Sequence, residues 1–443
     1  MKKFWMILLV LCLLCSAAGA ETTVTSRTLD FPGVEMVSDA NMFIVTDENK
    51  LEHVADRDLN ILSDGYYFLS YDVYGAFRAK TEDNKEGTVN VDGSVMIPVT
   101  YDDIKIFNDR WGAGITWKEG TEEDYDYKVT YIVLGGENEV RFMQIDTVDF
   151  YYLNEKKGSI SREEYRSVDA YGDFLRLRDP EGNASFYNKD FEKSPAGPDA
   201  YSEYDYDYKN NTVIHNGSGK EAFCAGCELT ADQVQQTIFA KGNELVDLQG
   251  NVLADLGSYT YSAVNVSENL VTVKEGDKEG LLDETGKAVI PCKYDSIGYS
   301  MDLAKKTGLL DVELDGKLGF VSLKDGSEGG FVFSKDEAKA KGAFIYREDN
   351  GTVTIATIAG QLPTTYAKIY PARVAPYAAV TDAEGKISLI GLAGENVLPD
   401  MPEVKYDSSI NCSADGTMIL VYTAEREYIL YTVSYDPDLT ALQ

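Results

Sequence analysis

Two stretches of the chain repeat one another, and that periodicity constrains the fold more than any other feature. Lys278-Glu279-Gly280-Leu281-Leu282-Asp283 leads through Gly286 and Val289-Ile290-Pro291 to Tyr294-Asp295. Lys85-Glu86-Gly87-Thr88-Val89-Asn90 leads through Gly93 and Met96-Ile97-Pro98 to Tyr101-Asp102, with the same spacing of Gly, Gly, Pro and Tyr. Taking Asp283 and Asn90 as one turn position, weaker copies align at residues 56, 134, 188, 247, 322, 357, 391 and 431. The steps from 247 onward are 36, 39, 35, 34 and 40 residues, whereas 90, 134, 188 and 247 are separated by 44, 54 and 59. A period of this size is the mark of a repeat architecture in which each unit is one supersecondary element. The second half is the regular part, and the middle units carry insertions.

Each unit reads as β structure. Leu270 to Val273 is a lead-in with alternating character, Gly280 to Asp283 is a short apolar strand, and residues 284–286 form a tight turn that needs a residue tolerant of positive φ. Ala288 to Ile290 returns, and Pro291 is expected to end that strand because it has no N–H for the ladder. Copies at 56 and 188 lack the second glycine. Helix signals are confined to short capping boxes at 161–164, 230–233 and 334–337, read as single turns within connections. Three to four short strands per unit of about 40 residues is the content of a propeller blade. The expected fold is all-β, an array of about eight to ten units over 41–433, preceded by a lead-in at 21–40 and followed by a tail at 434–443. The array is either propeller-like or an open curved stack.

The block from Lys278 to Asp295 resembles the WG repeat of secreted and surface bacterial proteins, and the resemblance extends in weaker form over about 41–433. The tryptophan that names that family falls before Gly280, Gly87 and Gly319, where this chain has Glu279, Glu86 and Leu318; its Trp111-Gly112 pair lies elsewhere in a unit. The resemblance implies a β-repeat scaffold without a shared catalytic centre. Gly87, Gly93, Pro98, Tyr101, Gly280, Asp283, Gly286, Pro291 and Tyr294 are accordingly read as structural signature positions.

Residues 1–20 have the pattern of a secretory signal peptide: Lys2 and Lys3, an apolar run from Phe4 to Cys15, and Ala18-Gly19-Ala20 as the cleavage site. Lipid attachment at Cys12 or Cys15 is the competing expectation, opposed by the leucine before each. No later apolar run is long enough for a helical membrane span. The formal net charge is −33 and becomes more negative once Lys2 and Lys3 are removed, which disfavours nucleic acid and anionic membranes as partners. Cys224 and Cys227 have C-x-x-C spacing but lack a second zinc half-site or a thioredoxin-like context, leaving a local disulfide or two free thiols.

Chemistry-bearing motifs are sparse. Of 2 histidines, His53 and His215, neither lies in a nucleophile motif. With 74 acidic residues, a close carboxylate pair carries no information about glycoside hydrolysis. Asp205 and Asp207 begin a calcium-loop-like sequence that fails at Lys209, Asn210 and Asn216, leaving at most a looser cation site. The two middle insertions share an acidic, tyrosine-rich stretch: Asp124, Tyr125, Asp126 and Tyr127 in one, and Tyr204, Asp205, Tyr206, Asp207 and Tyr208 in the other. Inserted loops of repeat proteins tend to fall on one face, often the binding one. The sequence therefore predicts an extracytoplasmic scaffold, without cofactor or catalysis, that binds a protein or cell-wall glycan through its enlarged middle units. The alternatives are a carboxylate-dependent carbohydrate-active enzyme and a structural envelope protein without a ligand.

Overall fold

The computed structural model describes residues 22–435 except 73, 109, 120–129, 135–139, 162–163, 165–166, 172–173, 195–203, 208–211, 216–238, 242, 247–250, 266–269, 284, 299–306 and 373–374. The described elements are short strands in eleven antiparallel sheets, with 3-10 turns at Ser38–Ala40 and Asp407–Ser409. Among the described residues no helix is long and apolar enough to cross a membrane. Two compact units result: Met1–Phe43 with Leu256–Gln443, and Ile44–Asp255.

In the first unit, four-stranded meanders cover 260–294, 296–329 and 339–361, and a three-stranded one covers 368–390, each with its strands in sequence order. The last sheet is built differently. Its strands Ile410–Cys412, Met418–Tyr422 and Tyr428–Ser434 are joined at the outer edge by Thr23–Leu29, which pairs with Tyr428–Ser434 from Thr23 opposite Ser434 to Leu29 opposite Tyr428. The copy aligned at residue 431 thus has no hairpin turn there, because its outer strand comes from the other end of the sequence. In the second unit the sheets over 68–101 and 167–194 are four-stranded meanders, and that over 103–161 contains an enlargement described below.

Apolar residues lie between consecutive sheets. Leu281 and Ile290 of the 260–294 sheet pack with Leu310, Val312 and Val321 of the next. Phe320, Phe344, Ile355, Val380 and Ile390 join three successive sheets. Covering both faces makes adjacent residues of inner strands buried together, as in Ile419, Leu420 and Val421. The same cause corrects the alternating reading of the lead-in: Val271, Thr272 and Val273 are all buried.

One turn closes most outer hairpins. The N–H of Asp283 donates to Lys287 O (2.9 Å) and that of Gly286 to Asp283 O (2.9 Å), with Gly286 at φ 79°. The hairpin turn thus ends on a left-handed residue. Asp283 Oδ1 also accepts the N–H groups of Thr285 (2.9 Å) and Lys287 (3.0 Å), which explains Asp or Asn at this position. The backbone pattern recurs at Asp56, Asn90, Asn188, Asp382 and Gly391, with the side-chain bonds repeated at Asp56, Asn188 and Asp382. Where the second glycine is missing, Leu59 (φ 69°) and Phe191 (φ 60°) occupy the left-handed position themselves. At 322 the turn is one residue longer, with Ser322 N–H donating to Ser327 O, and at 357 it is tighter, with Thr357 paired to Gly360.

The prolines do not end the return strands. Val95–Tyr101 and Ala288–Tyr294 run through Pro98 and Pro291, with register shifts between Glu86 and Thr88 and between Glu279 and Leu281. These are outermost strands carrying bulges, where the ladder does not require the missing N–H. The bulged strand lies so close to the signature glycine that a Cβ on Gly87 would sit 2.5 Å from Ile97 O, and one on Gly280 2.7 Å from Cys292 N. The glycine is required by that approach.

Candidate functional site

The signature polar residues bind the repeats to one another. Lys85 Nζ lies 2.6 Å from Asp102 Oδ1, and Lys278 Nζ lies 2.5 Å from Asp295 Oδ1. The second oxygen of each aspartate accepts a backbone N–H from the following sheet: Trp117 N–H to Asp102 (2.8 Å) and Gly316 N–H to Asp295 (3.2 Å). Burial raises the Asp102 carboxyl, but the Lys85 and Trp117 hydrogen bonds outweigh it and hold the group below its ordinary value. For Asp295 the Lys278 hydrogen bond is the leading cause of a lowered value. The signature tyrosines reach the next sheet as well. Tyr101 Oη donates to Asp149 Oδ2 (2.8 Å), and Tyr294 Oη to Glu328 Oε2 (2.6 Å).

Glutamates take the place before the signature glycine. Glu86 is buried between Arg78 Nη1 (2.6 Å) and Lys80 Nζ (2.7 Å). Glu279 is buried too, paired with Lys274 (3.1 Å) and accepting the Ile297 N–H (2.9 Å) from the following sheet. A charged residue is stable at so covered a place because every such contact compensates lost hydration. Trp111 is fully buried on the second strand of its own sheet, Trp111–Glu119, against Phe150, Leu175 and Leu177.

His53 is also structural. Nδ1 lies 3.3 Å from Ser63 O and Nε2 3.4 Å from Asp47 Oδ2, while Ser63 Oγ accepts the Val54 N–H and donates to Asp64 O. That hydroxyl is not presented to the imidazole as a nucleophile would be. Among the described residues, no group of three or more His, Cys, Asp or Glu side chains is placed to hold a metal ion.

Added strand pairings accompany both insertions. Strand Val140–Tyr152 pairs through Thr147–Tyr152 with Glu155–Ser161, as a repeat strand does, and its other end pairs with Thr130–Leu134. Trp111–Glu119 follows it past a bulge at Thr116/Trp117 to bring Glu119 opposite Met143. Asp124, Tyr125, Asp126 and Tyr127 fall between these strands, outside the described residues. Tyr204–Asp207, with Tyr204, Asp205, Tyr206 and Asp207, pairs with Thr212–His215 in a separate two-stranded sheet. The start of the calcium-loop-like sequence is thus a strand. Tyr208, Cys224 and Cys227 lie outside the described residues.

A pocket that sequence reasoning did not single out lies in the first unit, with a volume of ≈ 440 Å³. It is lined where the first strands of three consecutive sheets come together, Lys339–Lys341, Lys368–Pro371 and Ile410–Cys412, beside the Ser38–Ala40 turn. Its buried lining includes Tyr377, Ala379, Leu389 and Ile410. At its exposed lining, Lys341 Nζ stands 4.9 Å from the centre of the Tyr370 ring, and Tyr370 is 49% exposed. Tyr377 Oη donates to Gly416 O (2.8 Å), anchoring that wall. Burial pushes the Cys412 thiol up to about 12, so this lining cysteine is a poor nucleophile at neutral pH. The sequence signal for this pocket is faint: Lys339-Ala340-Lys341 and Lys368-Ile369-Tyr370, basic alternations in an acidic chain.

The model of the WG containing repeat matches residues 280–304. No curated protein matches the chain. Solved structures similar to it include the C-terminal WD40 domain of Sif2, at 10% identity over 92% of this chain and 98% of that one, with a TM-score of 0.25. The computationally designed Ika8 protein is similar at 10% identity over 72% and 94%, TM-score 0.23. BamB from Moraxella catarrhalis is similar at 10% identity over 65% and 91%, TM-score 0.19. Superpositions this loose carry no functional inference. The matched repeat includes Gly280, Asp283, Gly286, Pro291 and Tyr294, the residues that shape the turn, the bulge and the link to the next sheet, and at 280–304 the chain carries a WG repeat.

Proposed function

We propose that this protein is an exported scaffold whose activity is binding, not turnover, and that its partner is a cell-wall glycan or an extracytoplasmic protein. The observation that carries this reading is the added ribbon. Val140–Tyr152 serves its repeat sheet with one end and continues to pair with Thr130–Leu134 at the other, a pairing the repeat does not need, and the acidic tyrosine stretch at 123–128 precedes it in sequence. The second such stretch begins on a strand of an additional hairpin, Tyr204–Asp207 with Thr212–His215. Tyrosine supplies large contact area and a hydrogen-bonding tip at low entropic cost, which suits recognition. The signal-peptide pattern at 1–20 supports export.

The test is co-sedimentation of the protein lacking residues 1–20 with purified cell-wall polysaccharide, together with pull-down of a defined extracytoplasmic protein set. Retention that is lost when 120–129 and 204–215 are replaced by Gly-Ser linkers supports the reading. Retention unaffected by both replacements, or turnover of the polysaccharide abolished by changing one Asp or Glu, overturns it.

A further inference from the structure

We propose that the pocket at Lys341, Tyr370, Tyr377 and Asn411 is a second binding site, in a part of the chain distinct from the ribbons, and that it takes a carboxylate-bearing sugar such as a uronate unit. The first argument is charge. In a chain of net charge −33, Lys339 and Lys341 lie two apart on one strand, and Lys368 and Tyr370 two apart on another. Residues two apart in a strand share a face. Lys341 Nζ lies 4.9 Å from the Tyr370 ring, so the two strands bring these residues onto one surface. All three lysines are exposed; one carboxylate, Asp39, shares the pocket lining, and Glu348 lies 4.0 Å from Lys339. The surrounding acidity repels anionic polymers in general, so a local basic patch favours a compact anion seated there over a polyanion lying across the surface.

The second argument is shape and surface chemistry. The ≈ 440 Å³ volume is within the ~300–1,000 Å³ of ordinary small-molecule sites. The half-exposed Tyr370 ring offers a flat apolar face, as the C–H face of a pyranose requires. Tyr377 and Leu389 form buried apolar wall, while Ser38 and Asn411 supply hydroxyl and amide partners for ring hydroxyls. Apolar lining with a few convergent polar groups is the composition of a ligand site. The lysines distinguish an acidic sugar from a neutral one: their ammonium groups answer a ring carboxylate, and a neutral hexose would leave them unused.

The experiment is titration calorimetry of the protein lacking residues 1–20 with a galacturonate tetramer, its methyl ester and cellotetraose, with inorganic phosphate as a fourth ligand. Saturable binding of the uronate with a Kd at least roughly tenfold tighter than that of the ester supports the proposal. K341Q with K368Q should remove that preference, Y370A should weaken both ligands, and the charge-matched K324Q with K386Q should change neither. Each variant is checked for an unchanged melting temperature. Equal binding of ester and uronate, no binding at all, uronate binding unchanged in the lysine and Tyr370 variants, or phosphate binding as tightly as the uronate each overturns the assignment. Because residues 120–145 and 204–215 are unchanged in all these proteins, the retention assay that tests them is unaffected by the outcome.

Discussion

The two clear copies of the repeat, at 85–102 and 278–295, share their backbone and differ in what their side chains meet. Both have a glycine beneath a bulged strand, a proline on that bulge, and a lysine gripping the aspartate that links to the following sheet. The tyrosines diverge. Tyr294 finds Glu328 on the short outer strand of a regular four-stranded neighbour. Tyr101 finds Asp149, and lies 2.6 Å from Tyr151 Oη, on the long strand that also carries the ribbon. The motif thus specifies the unit and the direction of its link, and the neighbour decides the partner. A repeat of this kind tolerates an enlarged neighbour because the link needs only a carboxylate within reach.

This comparison can be broken at its shared elements first. Gly87→Val and Gly280→Val should each cost ~3 kcal/mol or more, since a side chain there meets backbone and the bulge must yield; urea denaturation measures it. Similar losses at the two sites support a common backbone requirement, and a loss below ~1 kcal/mol at either contradicts it. Phe344→Ala, which opens a cavity among three sheets of the regular part, should cost ~3–5 kcal/mol by the same method.

The diverging elements should give smaller and unequal effects. Tyr294→Phe and Tyr101→Phe each remove a hydrogen bond to a carboxylate, worth about 1–2 kcal/mol. The loss at Tyr101 should be the smaller, because Asp149 keeps both Lys156 and Ser159 as partners whereas Glu328 keeps Lys293. The reverse order would show that the Tyr101–Tyr151 contact matters more than the carboxylate. The Lys–Asp links make an acid-side contribution. The carboxyls of Asp102 and Asp295 are lower in the folded protein than unfolded, so their stabilisation is complete above the ordinary Asp value near 4 and is lost as pH falls through the lowered folded values. Melting curves of D102N and D295N should therefore lie below the parent at pH 7 and approach it as pH falls below the ordinary Asp value near 4; a gap that stays constant on acidification would mean the loss is not electrostatic. Smallest of all, Leu59→Gly should raise stability by up to about 1 kcal/mol by relieving a side chain in the left-handed region, whereas Phe191→Gly should not, because Phe191 stacks on Phe150 and Tyr187.

Much of this was legible along the chain. Gly286, Asp283 and the spacing to Pro291 and Tyr294 define a hairpin through local backbone chemistry: a left-handed position, an Asx-capped turn, a missing N–H. Local chemistry acts within a few residues, so it is written in consecutive residues and repeats visibly. Even the departures at Leu59 and Phe191 keep the turn, since the Asx hydrogen bonds and the hairpin ladder hold those residues in place.

What lay beyond the sequence depends on which strands become neighbours. The strand through Pro291 continues because a bulge places the proline where no donor is needed, and this is visible only with its partner strand beside it. The outer strand of the last sheet is Thr23–Leu29, some four hundred residues from its partner and unmarked by any motif. The pocket at Lys341 and Tyr370 exists because first strands of separate sheets converge, whereas in sequence its residues are ordinary strand positions. The sequence by itself determined the unit, its turn and its link, through interactions that span a few residues. Pairing across the sheets decided the rest, since hydrogen bonds and packing between distant segments leave no fixed spacing to read.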